Sequence, residues 1–588
     1  MTDATTTTPA PSAERQAQPS WPGADAAAPP DPRRWKALLC VLTAAFMVLL
    51  DISIVNVAIP SIQQNLHASF GDVQFVIAGY ALAYAVLLIT GGRLGDIYGR
   101  KRLFMLGMGG FVVASLLCGL AQNPTMLVAS RVLQGLMAAL MYPQVLSVIQ
   151  VLFPPRERGK AFGIFGAIIG LATISGPLAG GLIIRDDITG SAWRWIFLVN
   201  LPIGIASLVA AARVLPESRA PQATHLDLTG VAIVTVGLGL LVFPLVEGRD
   251  LGWPTWSFIL LAISPFVLAA FVLYERRIQA GGSPLVLLSL FRNRSFTAGW
   301  GLSSIFFAGI PSFFFVFSLM LQIGLGFSAL HAGLTTIPFS FATAVASAMS
   351  VRLAPKLGRT ILQIGIALLV LGMIGMMLTL TTAGENVTSI ELAPSLFVSG
   401  LGLGTTIAPL LNIILAGVAG REAGSASGLL TTIQQVGGAL GVAVIGVIFF
   451  GLLGNRAAGV ADTVTPDLQA QVTTAAAQAP GFSTTAPQIA AQIASEFRTC
   501  FIDRSNAKDP SELPPSCQFA PPPAPLASTV PPIVQSAGKL ALARNFTGSL
   551  ERTLFFNVGV WALSFLMVLA LPRAREQGQA AAGAAAAH

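Results

Sequence analysis

The sequence predicts an all-α integral membrane protein of about 14 transmembrane helices with both termini cytoplasmic. Three observations predict it. Charged residues make up 10% of the 588 positions and hydrophobic residues 54%, whereas a soluble domain is about 25% charged, so most of the outer surface must face lipid. The apolar residues come in runs of about 20, the length that crosses a hydrocarbon core, and the runs do not alternate as barrel strands do. The basic residues are one-sided. Of 34 Lys and Arg, 23 fall on tails and loops of the side that holds the N-terminus. Three fall on short loops of the other side (Arg185, Arg194, Arg249), seven on one long loop there, and Arg131 inside a helix. Short loops rich in Lys and Arg stay in the cytoplasm, which also explains the net charge of +8 without invoking nucleic acid.

In chain order, residues 1–35 are rich in Ala, Pro and Thr with no apolar core, so they read as a disordered cytoplasmic tail and not as a cleavable signal. Six apolar runs follow, Lys36–Ile59, Gln74–Leu94, Leu103–Ala121, Thr125–Leu152, Ala161–Ile184 and Trp195–Leu215, giving a six-helix bundle over 36–220. Leu228–Val246 and Thr255–Tyr274 form an inserted pair over 221–280. Phe296–Ile323, Ala329–Leu353, Ile361–Thr381, Glu391–Val418 and Ser427–Leu453 supply five helices of a second bundle over 281–453. A long extracytoplasmic loop occupies 454–553, Leu554–Pro572 is the last helix (554–573), and 574–588 is a cytoplasmic tail. The loop is polar and rich in Ala and Pro, which predicts a lightly structured cap in which stretches such as Pro487–Phe497 are candidates for a short amphipathic helix. Cys500 and Cys517 lie in it, where disulfides persist, and are candidates for a bridge; Cys40 and Cys118 read as packing residues.

Internal repeats support two equivalent bundles. Arg156-Glu-Arg-Gly-Lys-Ala-Phe-Gly163 recurs as Arg421-Glu-Ala-Gly-Ser-Ala-Ser-Gly428, and Gly92-Arg-Leu-Gly-Asp-Ile-Tyr-Gly-Arg-Lys101 recurs in faded form as Val351-Arg-Leu-Ala-Pro-Lys-Leu-Gly-Arg-Thr360. The offsets, 265 and 259, nearly agree. Parallel repeats of this kind organise transporters around a site near the membrane midplane.

The chain lacks G-x-x-x-x-G-K-[S/T], H-E-x-x-H and G-x-S-x-G, so no P-loop hydrolysis, zinc protease or nucleophile-elbow chemistry is expected, and uphill transport would draw on an ion gradient. Asp51 and Arg131 stand out as charges inside apolar runs, which are costly and functional by default. Counted from Pro60 and Pro124 at about 1.5 Å per residue, both sit roughly 10–14 Å below the outer boundary and can pair if their helices face each other. A nearby guanidinium favours the carboxylate and burial disfavours it, so a change of shape that separates them would let Asp51 take a proton. Asn56, Tyr142, Gln144, Asn412, Gln434 and Gln435 are polar residues within helices and are candidates for the cavity wall or for helix contacts. Phe313, in a Phe-rich ninth helix, is a candidate for a pocket that takes aromatic or cationic compounds. Gly170-Leu-Ala-Thr-Ile-Ser-Gly176-Pro177-Leu-Ala-Gly180-Gly181 combines close-contact glycines with a kink.

These strings together resemble the major facilitator superfamily, in particular its 14-helix drug:H+ antiporter branch. Gly92–Lys101 resembles the signature loop between helices two and three, Arg131-Val-Leu-Gln-Gly135 the fourth-helix signature, Gly170–Gly181 the antiporter signature, and Leu50–Pro60 the first-helix signature. Trp193–Phe197 with Asn200-Leu-Pro-Ile-Gly204 is similar to that branch as well. The resemblance implies a major facilitator fold, not an enzyme, that exports lipophilic or cationic drugs or similar small molecules by proton antiport and alternating access. Export of an endogenous metabolite, siderophore or lipid on the same fold is the alternative. It implies a cytoplasmic latch made by Gly92, Asp96, Gly99, Arg100 and Lys101, proton coupling by Asp51 and Arg131, and a helix shaped for exchange by Gly170, Gly176, Pro177, Gly180 and Gly181. No cofactor, metal or nucleic acid is expected, the partners being lipid, substrate and protons around a monomer in the plasma (inner) membrane. The second-half copy has Pro355 where Asp96 stands, so only the first half offers that carboxylate. Glu247, Glu391 and Glu422 lie near helix ends, which points to monovalent or neutral lipophilic substrates rather than divalent cations.

Overall fold

The computed structural model describes residues 31–572 except 69, 186–191, 221–225, 249–250, 280–283, 417, 420–421, 508–513 and 520–521. The expected tails, apart from residues 31–35, lie outside the described residues. Regular secondary structure among the described residues is all helical, with no strand.

The first group comprises α1 (Arg34–Leu66), α2 (Phe70–Tyr98), α3 (Arg100–Gly119), α4 (Pro124–Leu152), α5 (Pro155–Arg185), α6 (Trp195–Leu198) and α7 (Asn200–Val214). An extra pair follows, α8 (Leu228–Glu247) and α9 (Thr255–Ile278). The second group comprises α10 (Arg294–Leu319), α11 (Ala329–Thr335), α12 (Ile337–Leu357), α13 (Thr360–Ala383), α14 (Ser389–Leu415), α15 (Ala423–Gln478), α16 (Ala486–Asn506) and α17 (Val530–Met567). Thirteen stretches are long and apolar enough to cross a membrane, α6–α7 counting as one and α11–α12 as one. The 31-residue α5 completes the expected fourteen.

Local chemistry sets the helix ends. Pro124 opens α4 behind an Asn123 cap that accepts from Met126 N at 2.8 Å. Thr388 and Glu391 form a reciprocal capping box at α14. The two copies of the loop repeat occupy matching places, between α2 and α3 and between α12 and α13. Their shared glycines, Gly99 and Gly358, both take positive φ, +109° and +55°, where a side chain would be strained.

Glycine also sets how close the helices come. A Cβ at Gly91 or Gly135 would strike backbone in the α2–α4 contact, and one at Gly437 or Gly441 would strike α10 from α15. Within the first group α1 packs on α4, α5 and α7, and α3 on α4 and α7; within the second, α12 packs on α14, and α13 on α14 and α17. The groups meet along α5–α12, α5–α14, α2–α15 and α4–α15.

Residues 454–553 differ from the expected lightly structured cap, although the helix expected near Pro487–Phe497 is present within α16. The 56-residue α15 runs about 84 Å at 1.5 Å per residue, far longer than a bilayer core of about 30 Å. It continues past the membrane and packs with α16 and the start of α17 around a separate core that includes Val464, Leu468, Phe497, Phe501 and Leu526. The reason is a four-residue period, Val460, Val464, Leu468, Val472 and Ala476 on α15 and Ala486, Ala490 and Ala494 on α16, all buried. Cys500 and Cys517 are joined, their Cα atoms 4.7 Å apart, tying α16 to the segment that follows it.

Candidate functional site

A buried charge pair lies inside the first group. Asp51, on α1, is 0% exposed and Arg131, on α4, 2%. Arg131 Nη1 donates to Asp51 Oδ2 at 2.5 Å. The other carboxylate oxygen accepts from Gln134 Nε2 at 2.9 Å and from Asn200 Nδ2 at 3.3 Å. Gln134 Nε2 also donates to Ser115 Oγ at 2.8 Å. Arg131 has further partners besides the carboxylate. Its Nη1 donates to Gln134 Oε1 at 2.7 Å, its Nε donates to Val76 O at 3.0 Å, and its guanidinium lies 4.2 Å from the centre of the Tyr80 ring. Five helices, α1, α2, α3, α4 and α7, therefore contribute to one closed network. Neutralising the carboxylate would leave the guanidinium with a carbonyl, an amide oxygen and an aromatic face, so a proton on Asp51 does not orphan Arg131.

Gln134, Asn200, Ser115 and Tyr80 are not singled out by charge. Gln134 is three residues on from Arg131, the spacing that puts it on the same helix face, and Asn200 lies in the string quoted above; those were the available signals.

A second constellation joins the two groups at their cytoplasmic ends. Asp96, at the end of α2 and 0% exposed, accepts from Gly424 N at 3.1 Å and Ser425 N at 2.9 Å, the first turn of α15. Free amides at a helix start carry partial positive charge and suit a carboxylate. Arg100 Nη2 donates to Asp96 Oδ1 at 2.6 Å. Lys101 Nζ donates to Ala212 O at 2.8 Å, outside the latch itself. Gly92 admits the contact, since a Cβ there would run into the Gly424 carbonyl; Gly95 likewise makes room for the Gln144 side chain. Gln150, which the sequence reading passed over, adds a second tie: its Nε2 donates to Leu415 O at 2.6 Å and Val418 O at 2.9 Å at the end of α14.

Along α5, Gly170 faces Ser340 and Thr343 of α12, Gly176 faces Ser53 of α1, and Gly181 faces Leu330 of α11. Gly180 is buried, and the Pro177 side chain lies outside the described residues.

The cavity candidates divide. Gln144 is fully buried and its Nε2 donates to Gly91 O at 2.8 Å and Leu140 O at 3.0 Å, so it binds α4 to α2 instead of facing a cavity. Phe313 is 1% exposed and stacks on Phe317 at 5.2 Å, so it belongs to the packed core of the second group. Consecutive Phe residues point around the whole helix, and this one points inward. Tyr142 is nearly buried, edge-on to Tyr84 at 6.0 Å. Asn412, Gln434 and Gln435 are half-buried. The Asn56 side chain lies outside the described residues.

Comparison with known proteins follows from these strings. A sequence model of the Major Facilitator Superfamily matches residues 41–442. The chain is 42% identical over 559 residues to the "Probable actinorhodin transporter" of Streptomyces coelicolor, covering 94% of each chain. It is 37% identical over 427 residues to a puromycin resistance protein of Streptomyces alboniger, 72% of this chain and 83% of that one. It is 35% identical over 429 residues to the tetracenomycin C resistance and export protein of Streptomyces glaucescens, 72% and 77% of the two chains. The first match leaves too little of the chain unaligned to omit 454–553, so that relative has sequence aligned with this segment. Among solved structures, the human organic anion transporter MFSD10 superposes with a TM-score of 0.52 at 15% identity, over 71% of this chain and 94% of that one.

Proposed function

The chain belongs to the major facilitator superfamily and is a multi-pass membrane transporter, not an enzyme, and from that premise we propose that it exports lipophilic or cationic small molecules, antibiotics among them, in exchange for protons. Direction and cargo class rest on the relatives, which are named for antibiotic resistance and export. Proton coupling rests on one observation: a fully buried carboxylate, Asp51, whose guanidinium partner keeps other partners if the carboxylate is neutralised. The bundles rock about a central cavity; with the Asp96 latch closed the cytoplasmic side is shut, and its release opens that side to substrate. Asp51 takes its proton from outside and gives it up within.

Full-length similarity to a relative named for one compound favours, as a second reading, export of a product the cell itself makes. Efflux of a fluorescent cation from cells, with and without a protonophore, tests the first reading. Efflux that continues unchanged after the proton gradient is collapsed would remove it. A metabolite comparison of a deletion strain tests the second.

A further inference from the structure

The extra pair α8–α9 separates the two bundles in sequence, and both stretches that join it to them end at the cytoplasmic latch. On the way in, Arg100 N donates to Ser218 O at 3.0 Å and Ala220 N donates to Asp96 O at 2.9 Å. On the way out, Glu275, at the cytoplasmic end of α9, is 0% exposed and accepts from Leu285 N at 3.2 Å and Val286 N at 3.4 Å. Leu285 and Val286 are themselves buried. The far side of this short segment meets α15: Leu285 O accepts from Ser425 Oγ at 3.4 Å. Ser425 N is one of the two amides that hold Asp96. Arg93, one turn before Asp96 on α2 and 5% exposed, interacts electrostatically with both Asp96 and Glu275.

A spacer has no use for this group. A buried carboxylate is costly unless its lone pairs are filled, and an apolar side chain would end α9 without that cost. We propose that α8–α9 is a working part of the cytoplasmic gate and that Glu275 is its positioning residue. Glu275 holds the Leu285–Val286 segment against Ser425, and so presents the amide that Asp96 grips. Opening the gate requires this segment to leave Ser425 or to travel with α15. The proposal rests on the alternating-access reading above, and it is independent of which group carries the proton.

The test measures the gate alone, on the full chain in lipid, without substrate or proton gradient. Spin labels go on Tyr98→Cys and Lys356→Cys, exposed positions at the cytoplasmic ends of α2 and α12. Cys40 and Cys118 are buried and Cys500 is bonded to Cys517, so the new thiols label selectively. Asp96→Asn should enlarge the long-distance population. Glu275→Ala should enlarge it about fivefold, and Glu275→Gln, which keeps the shape and one acceptor, should move it the same way by less. If Glu275→Ala does not reach the membrane, the Gln variant carries the test. A shift with Asp96→Asn and none with the Glu275 variants overturns the proposal alone. No shift with Asp96→Asn overturns the latch reading and this proposal with it.

Discussion

Replacing Asp51 with Asn separates a proton carrier from a helix lock. In the wild type the carboxylate accepts from Arg131, Gln134 and Asn200. An Asn at the same place offers one acceptor oxygen and turns a donor toward one of those three donors. Breaking a buried ion pair from one side costs about 3–5 kcal/mol, and the remaining Val76 and Gln134 contacts to Arg131 offset part of it. Melting and surface abundance should therefore fall, yet folded protein should remain. The transport consequence is larger. One proton crossing a potential of 100 mV yields about 2.3 kcal/mol, which sustains roughly a 50-fold gradient of a neutral compound at one-for-one exchange. The assay is uptake into inverted vesicles, normalised to folded transporter, beside substrate exchange at zero gradient. The Asn variant should keep exchange and lose accumulation, from about 50-fold to unity. A variant that melts earlier but accumulates substrate like the wild type, per folded molecule, would refute the reasoning and leave Asp51–Arg131 as a lock.

Other perturbations address other parts of the molecule. Asp96→Asn weakens charge-assisted bonds to Gly424 and Ser425 worth about 1.5–3 kcal/mol, so thiol probes applied from the cytoplasm should label an Ile89→Cys placed in the α2–α15 seam at least tenfold faster; an unchanged labelling rate counts against the latch. Gly92→Val puts a branched side chain against the Gly424 carbonyl, and should abolish transport while the protein still reaches the membrane; normal efflux would show that the helices need not approach so closely. Replacing Cys500 and Cys517 with Ser should cost the outer helices about 3 kcal/mol of loop-closure stabilisation and make them protease-sensitive, with efflux at ordinary temperature unchanged; undiminished protease resistance would contradict this.

Much of this architecture was legible because lipid is a strict solvent. Length and apolarity are forced on any spanning helix, and thirteen of the fourteen expected segments fall on stretches long and apolar enough to cross, the fourteenth on the 31-residue α5. Asp51 and Arg131 stood out for the same reason. Their neutral partners did not, because Gln134, Asn200 and Ser115 look like ordinary helix-contact residues until five helices converge. Phe313 and Gln144 show the converse: residue type marks what a side chain can do, and only packing fixes which way it points. Glu275 was missed because it sits next to the end of its apolar run, where carboxylates are usually wet. Of the outer helices, Pro487–Phe497 was legible and lies in α16, whereas the extensions of α15 and α17 were missed because Ala carries little hydropathy, although the four-residue period of α15 was in plain view.

The continuous passage of α15 and α17 out of the membrane makes the outer helices a mast on the second bundle. The mast continues about 37 Å beyond Leu453 at 1.5 Å per residue, which puts its tip about 52 Å from the midplane of a core about 30 Å thick, so roughly every 10° of bundle tilt about that midplane would sweep the tip by about 9 Å. The proposed rocking at the midplane would thereby be broadcast to the cell exterior. A dye at the tip would read the transport cycle from outside, and a binder that tethers the tip would brake it without ever competing for the cavity.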